Sequence, residues 1–233
     1  MSDKYWIIMP AAGIGKRFCS HVPKQYAKIT DESVIELTLK KLLDWEKAAG
    51  IVVAINDKDT HWQDLSVASH PKVLTVAGGS SRIDSVHNAL EYLSDRVNDT
   101  DLVLVHDSVR PCVNIADIDN LISQIASRDA IGGLLAYPVV DTLKYVDHDN
   151  SIEKTLSRRQ LWQAATPQAF PLQILTQALA ASQDDEDVTD EASSIEKLGH
   201  KPLVVSSSRL NIKITTQEDL VLAKYILRSQ GEI

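Results

Sequence analysis

Residues 5–17 read Tyr-Trp-Ile-Ile-Met-Pro-Ala-Ala-Gly-Ile-Gly-Lys-Arg, an apolar run that leads directly into a short loop with two glycines. The apolar half predicts a buried strand, so the loop lies at the carboxyl end of that strand. Because Gly13 and Gly15 have no side chains, backbone N–H groups there can close around an anion. Ala11 and Ala12 are small enough to let a ligand approach. The stretch therefore predicts an anion-binding loop at one end of a sheet.

Five short apolar, mostly β-branched runs predict buried strands: Tyr5–Met9, Ile51–Ile55, Val73–Val76, Leu102–Val105 and Ala130–Ala136. Helical patterns lie between them, and the clearest lines one helix face with Ile83, Val86, Leu90, Leu93 and Val97. Another helix is predicted from Ser33 to Ala49, with Gly50 just after its C-terminal end. This alternation predicts an α/β fold of parallel βαβ units with helices on both faces of one sheet.

The composition is that of a folded globular protein, with 233 residues, 44% of them hydrophobic and 24% charged. A net charge of -8 disfavours a nucleic acid polymer or an anionic membrane as partner, so an anionic ligand needs locally gathered cations. Cys19 and Cys112 are too few for a disulfide framework, and residues 131–140 are too short a weakly polar run to cross a membrane. We expect a cytoplasmic protein.

The α/β alternation breaks at Pro138. Residues 141–156 consist of two short strand-like segments around the polar turn 147–150, a pattern that predicts an inserted β-hairpin. Nothing in the remaining sequence requires a second domain, so residues 1–233 are expected to form one.

The glycine loop matches neither of two common nucleotide-binding motifs. A P-loop requires glycine at the place of Pro10 and Ser or Thr at the place of Arg17, and a dinucleotide fingerprint requires glycine at the place of Phe18. The loop does, however, carry Lys16 and Arg17, with Lys24 close behind, which concentrates positive charge in an acidic chain.

Two more strand ends carry ligand-type residues. Gly78 and Gly79 follow the third predicted strand and precede Arg82 and a helix that carries Ser85. The fourth predicted strand is followed by residues 106–111, His-Asp-Ser-Val-Arg-Pro. There an aspartate can orient a hydroxyl or hold a metal, and an arginine can grip a phosphate. Purely structural roles are also possible for these residues: Asp107 and Arg110 could form a salt bridge that closes the turn, and His106 could be packed at the strand end.

Later polar groups have structural explanations of their own. Thr142 falls at the start of the hairpin, Thr189 at a possible helix start, and Lys213 in a segment that could be an exposed strand face. No Ser-His-Asp, Cys-His or zinc pattern emerges. The glycine loops and the cations at the strand ends suit phosphoryl transfer. In that reaction, positioned cations and a magnesium ion neutralise developing charge, and no protein nucleophile is needed.

Taken together, eight motifs in order resemble the 2-C-methyl-D-erythritol 4-phosphate cytidylyltransferase family. They are Pro-Ala-Ala-Gly-x-Gly-x-Arg at 10–17, Pro-Lys-Gln-Tyr at 23–26, Gly-Gly-x-x-Arg-x-x-Ser-Val at 78–86, His-Asp-x-x-Arg-Pro at 106–111, Asp-Thr-x-Lys at 141–144, Leu-Trp-x-Ala-x-Thr-Pro-Gln-x-Phe at 161–170, Thr-Asp-Glu-Ala-Ser at 189–193 and Asn-Ile-Lys-x-Thr at 211–215. Each motif is weak alone, but the ordered set spans nearly the whole chain.

The resemblance implies transfer of a cytidylyl group from CTP to methylerythritol phosphate in the non-mevalonate route to isoprenoids, with release of pyrophosphate. It implies that Arg17 and Lys24 stabilise the transition state. The CTP contacts it implies are Ala11, Ala12, Gly13, Gly15, Gly79, Arg82 and Ser85. The acceptor contacts it implies are Asp107, Arg110, Thr142, Arg158, Thr189 and Lys213, with Arg158 and Lys213 on the phosphate. It places Mg²⁺ mainly on the CTP phosphates, and we assign no protein ligand to the metal.

The resemblance also implies a Rossmann-like, mostly parallel sheet and a homodimer in which the hairpin, residues 141–156, embraces the second subunit. The chain departs from the family in having Ser108-Val109 where two alanines are common and Ser157 where an aspartate is common. Two alternatives stay open: a ribitol 5-phosphate cytidylyltransferase, and a noncatalytic nucleotide-binding module. The second would be expected to lack Arg17 or Lys24, and both are present.

Overall fold

A computed structural model describes residues 4–13, 18, 22–182, 185 and 187–233 of the chain. The strands are β1 (Tyr5–Pro10), β2 (Ala48–Ile55), β3 (Val73–Ala77), β4 (Leu102–Val105), β5 (Gly133–Pro138), β6 (Leu143–Val146), β7 (Ile152–Leu156), β8 (Trp162–Pro171) and β9 (Leu203–Ser206). The α-helices are α1 (Val34–Leu43), α2 (Arg82–Leu93), α3 (Ile115–Ser127), α4 (Leu172–Ala181), α5 (Glu191–Lys197) and α6 (Gln217–Ser229). Short 3-10 helices occupy Lys24–Tyr26 and Trp62–Asp64.

Seven of these strands form one sheet in the order β3-β2-β1-β4-β8-β5-β9. The strands β3, β2, β1 and β4 are mutually parallel, β8 is antiparallel to both β4 and β5, and β9 is parallel to β5. Only β8 among them therefore runs against the rest, which confirms the mostly parallel α/β sheet. Because β1, β3 and β4 run the same way, the loops after them meet at one edge.

Helices cover both faces of this sheet, as the alternation of elements predicts. Ile7 and Met9 of β1 join a buried cluster with α1 and α3, whereas Ile8 between them joins a second cluster with α2, α4 and α5. Successive side chains of a strand point to opposite faces, so β1 is buried on both. A third cluster packs α6 against the start of α1 and the segment around Cys112.

The helix predicted from Ser33 begins there but ends at Leu43, so the predicted end at Ala49 is wrong. Ser33 caps α1 by accepting a hydrogen bond from the N–H of Glu36. Gly50 lies inside β2, where a Cβ would come within 2.5 Å of the Trp6 ring. Pairing with β1 therefore outweighs the helical preference of the preceding residues.

The fifth predicted strand, Ala130–Ala136, is observed as Gly133–Pro138. The chain is irregular before it because Gly132 has a φ of +149°. A Cβ at that glycine would lie 2.3 Å from the Phe170 ring. The segment must therefore pass close to β8 before it can pair with it.

The predicted hairpin is confirmed. β6 and β7 pair antiparallel in a two-stranded sheet of their own, separate from the main sheet. Tyr145, Val146 and Ile152 leave 51%, 42% and 62% of their surfaces exposed. An isolated two-stranded hairpin with exposed apolar side chains is at best marginally stable in water.

Candidate active site

A pocket of about 270 Å³ opens at the edge where β1, β3 and β4 end. Its lining comes from four stretches and one separate lysine: residues 10–13, residues 24–25, residues 79–82 with Ser85, residues 107–109 and Lys213. The stretches that begin at residues 10, 79 and 107 follow β1, β3 and β4, whose carboxyl ends lie at this edge of the sheet. The pocket is therefore the carboxyl-end crevice at which α/β sheets hold their ligands.

The loop after β1 is held by a glutamine that the sequence analysis did not single out. The Gln25 side-chain amide donates hydrogen bonds to the carbonyl oxygens of Ala11 at 2.7 Å and Gly13 at 3.0 Å. Gln25 is 3% exposed and neighbours Lys24 in the same short helix, so these bonds tie Lys24 to the glycine loop. Among the described atoms nothing lies within 4 Å of a Cβ built on Gly13, which lines the pocket.

The loop after β3 needs its glycines for close packing. A Cβ on Gly78 would lie 2.3 Å from the Cβ of Ala12, and one on Gly79 would lie 2.1 Å from the Cβ of Asp84. The Ser85 hydroxyl accepts a hydrogen bond from the N–H of Gly79 at 3.0 Å and donates one to the carbonyl of Ser81 at 2.9 Å. Ser85 therefore shapes the loop from behind as well as lining the pocket.

The N-terminus of α2 faces this pocket. Ser81 caps the helix in a reciprocal capping box with Asp84, and both Ser80 and Ser81 line the pocket. The first N–H groups of a helix, together with its dipole, favour a negatively charged ligand. The loop after β3 and the start of α2 therefore lie at the pocket, as their position after a predicted strand suggested, and binding of an anion there stays a prediction.

Asp107, just after β4, is the centre of an ionic cluster. Its Oδ1 accepts a hydrogen bond from Nε of Arg82 at 3.1 Å, while its Oδ2 lies 2.9 Å from Nζ of Lys213 and 3.4 Å from Nε of Arg110. Burial alone would raise the pKa of Asp107, but the three cations hold it well below its usual range. The Asp107–Arg110 salt bridge suggested as a structural alternative exists, as one part of a larger network.

Glu191, the first residue of α5, is a site residue that sequence reasoning included only as part of a motif. Its side chain is fully buried, and its two oxygens accept hydrogen bonds from Nη1 and Nη2 of Arg82 at 2.5 and 3.1 Å. Burial alone would lower the pKa of Arg82, but the Glu191 and Asp107 carboxylates hold it above its usual range. Residues so far apart in the chain, 82 and 191, offered no spacing that predicts this pair.

His106 has a structural place and does not line the pocket. It is fully buried, with Nε2 3.2 Å from the carbonyl of Arg110 and Nδ1 3.1 Å from the Thr166 hydroxyl, which accepts from the N–H of Asp107 at 3.0 Å. Because the Arg110 carbonyl can only accept, the neutral ring carries its proton on Nε2 and donates it there, and Nδ1 accepts from the Thr166 hydroxyl. Burial lowers the pKa of His106 to about 4, and the neutral ring braces the Asp107 turn.

Most of the predicted ligand contacts meet in this pocket. Nine of the predicted residues line it: Ala11, Ala12, Gly13, Lys24, Gly79, Arg82, Ser85, Asp107 and Lys213. Arg110 lies buried behind them, on Asp107. Thr142, Arg158 and Thr189 are exposed and do not line it. Arg158 donates to the carbonyl of Val140 at the base of the hairpin. Gly15 and Arg17 lie outside the described residues.

The segments around Thr189 and Lys213 differ in how they match the local structure expected of them. Thr189 and Asp190 do precede a helix, since the Asp190 side chain caps α5 by accepting from the N–H of Ser193. The strand suggested around Lys213 is wrong, because the described segment 211–215 forms no strand. Its irregular path instead turns Lys213 to Asp107, and the Asn211 side-chain amide anchors it by donating to the carbonyl of Thr166 at 2.8 Å.

The described part of the chain shows neither a metal cluster nor a membrane-spanning helix. Within it, no cluster of three or more His, Cys, Asp or Glu side chains is arranged to hold a metal ion. No described helix has both the length and the apolar character needed to cross a bilayer. Cys112 is buried with a free thiol, whereas Cys19 lies outside the described ranges.

A Rossmann-like sheet, a glycine loop at its carboxyl edge and cations from three separate segments around one pocket are the features of a nucleotidyltransferase. Comparison with known proteins identifies the family. Residues 5–229 match the model of the IspD family, 2-C-methyl-D-erythritol 4-phosphate cytidylyltransferase. The chain belongs to that family, as its motifs predicted.

Relatives of that name cover the chain almost completely. The protein from Vibrio parahaemolyticus is 47% identical over 226 residues, 96% of each chain. That from Buchnera aphidicola is 44% identical over 223 residues, 95% of this chain and 92% of the relative. The solved structure from Francisella tularensis is 38% identical, with a TM-score of 0.83 over 96% of this chain and all of the other. The one from Thermus thermophilus is 26% identical, with a TM-score of 0.76 over 95% and 98%.

Proposed function

We propose that this chain transfers the cytidylyl group of CTP to 2-C-methyl-D-erythritol 4-phosphate and releases pyrophosphate, a step of the non-mevalonate isoprenoid pathway. The observation that carries the proposal is the pocket itself. The described part of the glycine loop, residues 10–13, lines a space of about 270 Å³ together with Lys24, Arg82 and Lys213, in a chain whose net charge is -8. Such a gathering of cations suits two phosphorylated substrates that must meet despite their own repulsion.

The reaction needs no protein nucleophile. A phosphate oxygen of the acceptor attacks the α-phosphorus of CTP, a new P–O bond forms, and the bond from the α-phosphorus to the oxygen that leads to the β-phosphorus breaks. Pyrophosphate leaves with that oxygen. The acceptor phosphate is already ionised near neutral pH, so no side chain has to remove a proton from it. The chain's task is to position two anions in line and to stabilise the extra charge of the transition state.

On the nucleotide side, we assign CTP binding to residues that line the glycine loops: Ala11, Ala12, Gly13, Gly15, Gly79, Arg82 and Ser85. The place of Gly13 in the pocket lining and the helix N-terminus beside Ser81 support this assignment. Arg17 and Lys24 are proposed to stabilise the charge that develops at the α-phosphorus. The Gln25 hydrogen bonds support a fixed place for Lys24 beside the loop.

On the acceptor side, we assign Asp107, Arg110, Thr142, Arg158, Thr189 and Lys213. Asp107 would orient the acceptor's hydroxyl groups, while Lys213 and Arg158 would hold its phosphate. Lys213 is 38% exposed at its contact with Asp107, so its ammonium can reach a phosphate that enters the pocket. Arg110, buried behind Asp107, would act by fixing that carboxylate.

Magnesium is proposed to bind mainly through the CTP phosphates. The donor set fits that arrangement, since Asp107 is the one carboxylate among the described lining residues and both its oxygens already contact cations. The ion would neutralise charge on the triphosphate and on the leaving pyrophosphate. Residues of this chain would supply the remaining positive charge.

The hairpin of β6 and β7 is proposed to be a dimerisation arm of the single domain. Its exposed apolar residues, Tyr145, Val146 and Ile152, support burial against a second subunit. Arg158, at the base of the arm and outside the lining of this chain's pocket, would then serve the neighbouring subunit. A cytosolic location is proposed from the free, buried Cys112 and from the charged substrates.

The test is pyrophosphate release from CTP and Mg²⁺ with one acceptor at a time. We expect release with methylerythritol phosphate and only background release with ribitol 5-phosphate or with no acceptor. Release with ribitol 5-phosphate alone would overturn the acceptor. Tight CTP binding without release under any condition would indicate a noncatalytic nucleotide-binding module.

A further inference from the structure

We propose that Glu191 is a positioning residue for this reaction, acting through Arg82. Glu191 does not line the pocket. Its fully buried carboxylate instead accepts hydrogen bonds from both Nη atoms of Arg82, at 2.5 and 3.1 Å. A bidentate contact of this kind fixes the plane of the guanidinium as well as its position.

The orientation of Arg82 matters because its guanidinium also contacts Asp107. Glu191 takes one hydrogen of each Nη atom, and Nε donates to Oδ1 of Asp107 at 3.1 Å. The second hydrogen of each Nη atom remains for a ligand in the pocket. The other oxygen of Asp107 stays with Lys213 and Arg110. If Glu191 released it, the guanidinium could turn its Nη atoms onto both oxygens of Asp107 and displace Lys213.

The balance of charge in the cluster also supports a positioning role for Glu191. The cluster holds three cations, Arg82, Arg110 and Lys213, against two carboxylates, Asp107 and Glu191. Without Glu191 the three cations would share the single carboxylate that is proposed to orient the acceptor. Glu191 is thus expected to keep Arg82 available to the nucleotide and Asp107 available to the acceptor.

This inference rests on the proposed function, and a double-mutant cycle tests it. The variants are Glu191→Gln, Arg82→Gln and the double variant, with Glu196→Gln on the exposed side of α5 as matched control. We expect Glu191→Gln to lower kcat/KM for CTP about 10–100-fold, the usual size of effects from residues behind a site. In the Arg82→Gln background the same change should have no further effect, and Glu196→Gln should match wild type.

Each variant is also melted, and its CTP affinity is measured by calorimetry without acceptor. We expect each single variant to melt below the double variant, because each leaves one buried charge without its partner. CTP affinity should fall in Glu191→Gln. Equal losses from Glu191→Gln with and without Arg82 would overturn the proposal, as would a lowered melting temperature with unchanged kcat, KM and CTP affinity. Wild-type protein that binds CTP without turnover would instead overturn the proposed function and leave the calorimetric comparison to decide the role of Glu191.

A second measurement covers the case in which Arg82→Gln does not fold. The Nε–H signal of Arg82 can be followed by nitrogen-15 NMR of arginine side chains and assigned as the signal that is absent from the double variant. We expect its exchange with water to be at least ten-fold faster in Glu191→Gln than in wild type. Unchanged protection would overturn the proposal.

Discussion

Replacing Asp107 with asparagine removes the negative charge at the centre of the pocket while keeping the side chain's shape. The carboxylate has cations on both oxygens, Arg82 on one side and Lys213 with Arg110 on the other. An amide can present its oxygen to one side only, so its NH₂ group must face at least one cation. Asp107→Asn is therefore expected to destabilise the fold as well as to impair the reaction.

The size of the loss follows from the contacts. Breaking a buried ion pair by removing one partner costs about 3–5 kcal/mol, and a hydrogen bond to a charged group contributes about 1.5–3 kcal/mol. The Arg82 and Lys213 side chains keep 25% and 38% of their surface, so water can take over part of their solvation. We therefore expect the lower end, about 3 kcal/mol.

Urea unfolding at pH 7 and one fixed protein concentration measures this loss. With a slope of about 2–3 kcal/mol/M, the midpoint should fall by roughly 1–1.5 M. The matched control is Asp119→Asn, which breaks a surface pair with Lys47 whose side chains are 42% and 46% exposed, and should cost less than about 1 kcal/mol. If Asp107→Asn costs no more than that control, the cluster does not stabilise the fold and the charge argument is wrong.

Four further outcomes are expected. Arg17→Ala and Lys24→Ala should each lower kcat by about 100- to 1,000-fold with saturating CTP and Mg²⁺, since one donor to a developing charge is worth about 3–4 kcal/mol; near-normal kcat would refute the assignment. Lys213→Ala should raise KM for methylerythritol phosphate far more than KM for CTP, and the reverse would move it to the nucleotide side. The pKa of His106 is about 4 in the folded chain, whereas its ordinary value is 6.5. Between these two pH values the unfolded chain binds more protons than the folded chain, so the free energy of unfolding should fall as the pH drops from 6.5. Urea unfolding should show about 2 kcal/mol lost by pH 5, and His106→Asn should remove that slope. Mixed dimers of Arg17→Ala with Arg158→Ala, formed by verified subunit exchange, should recover about a quarter of wild-type activity if the arm serves the neighbouring site; no recovery would assign Arg158 to its own subunit.

The sequence was most informative where local pattern and tertiary environment agree. β4 is observed at the predicted residues, Leu102–Val105, because a fully buried parallel strand is a continuous apolar run. It was least informative at β8, which no pattern predicted. That strand contains Pro167 and several polar residues, and its pairing with β5 is irregular on the N-terminal side of Gln168. Proline in a central strand normally argues against one, and only the tertiary structure shows the irregularity that accommodates it.

The candidate site divides in a similar way. Glycines and cations that follow predicted strands can be placed at one edge from sequence, because parallel strands bring their carboxyl ends together. Glu191 and Gln25 could not be assigned, since their roles depend on contacts with Arg82 and with the carbonyl of Ala11, which only the folded chain brings into reach. Lys213 was recognised through its motif, whereas its contact with Asp107 required the irregular path of residues 211–215.

The central claim is that the acceptor's own phosphate oxygen attacks the α-phosphorus of CTP. Phosphorus-31 NMR with methylerythritol phosphate labelled with oxygen-18 in its phosphate tests it directly. The account predicts a product with two coupled phosphorus signals, all of the label retained with one labelled oxygen bridging the two phosphorus atoms, and unlabelled pyrophosphate. Loss of label from the product, or formation of CMP and pyrophosphate without a coupled product, would contradict it.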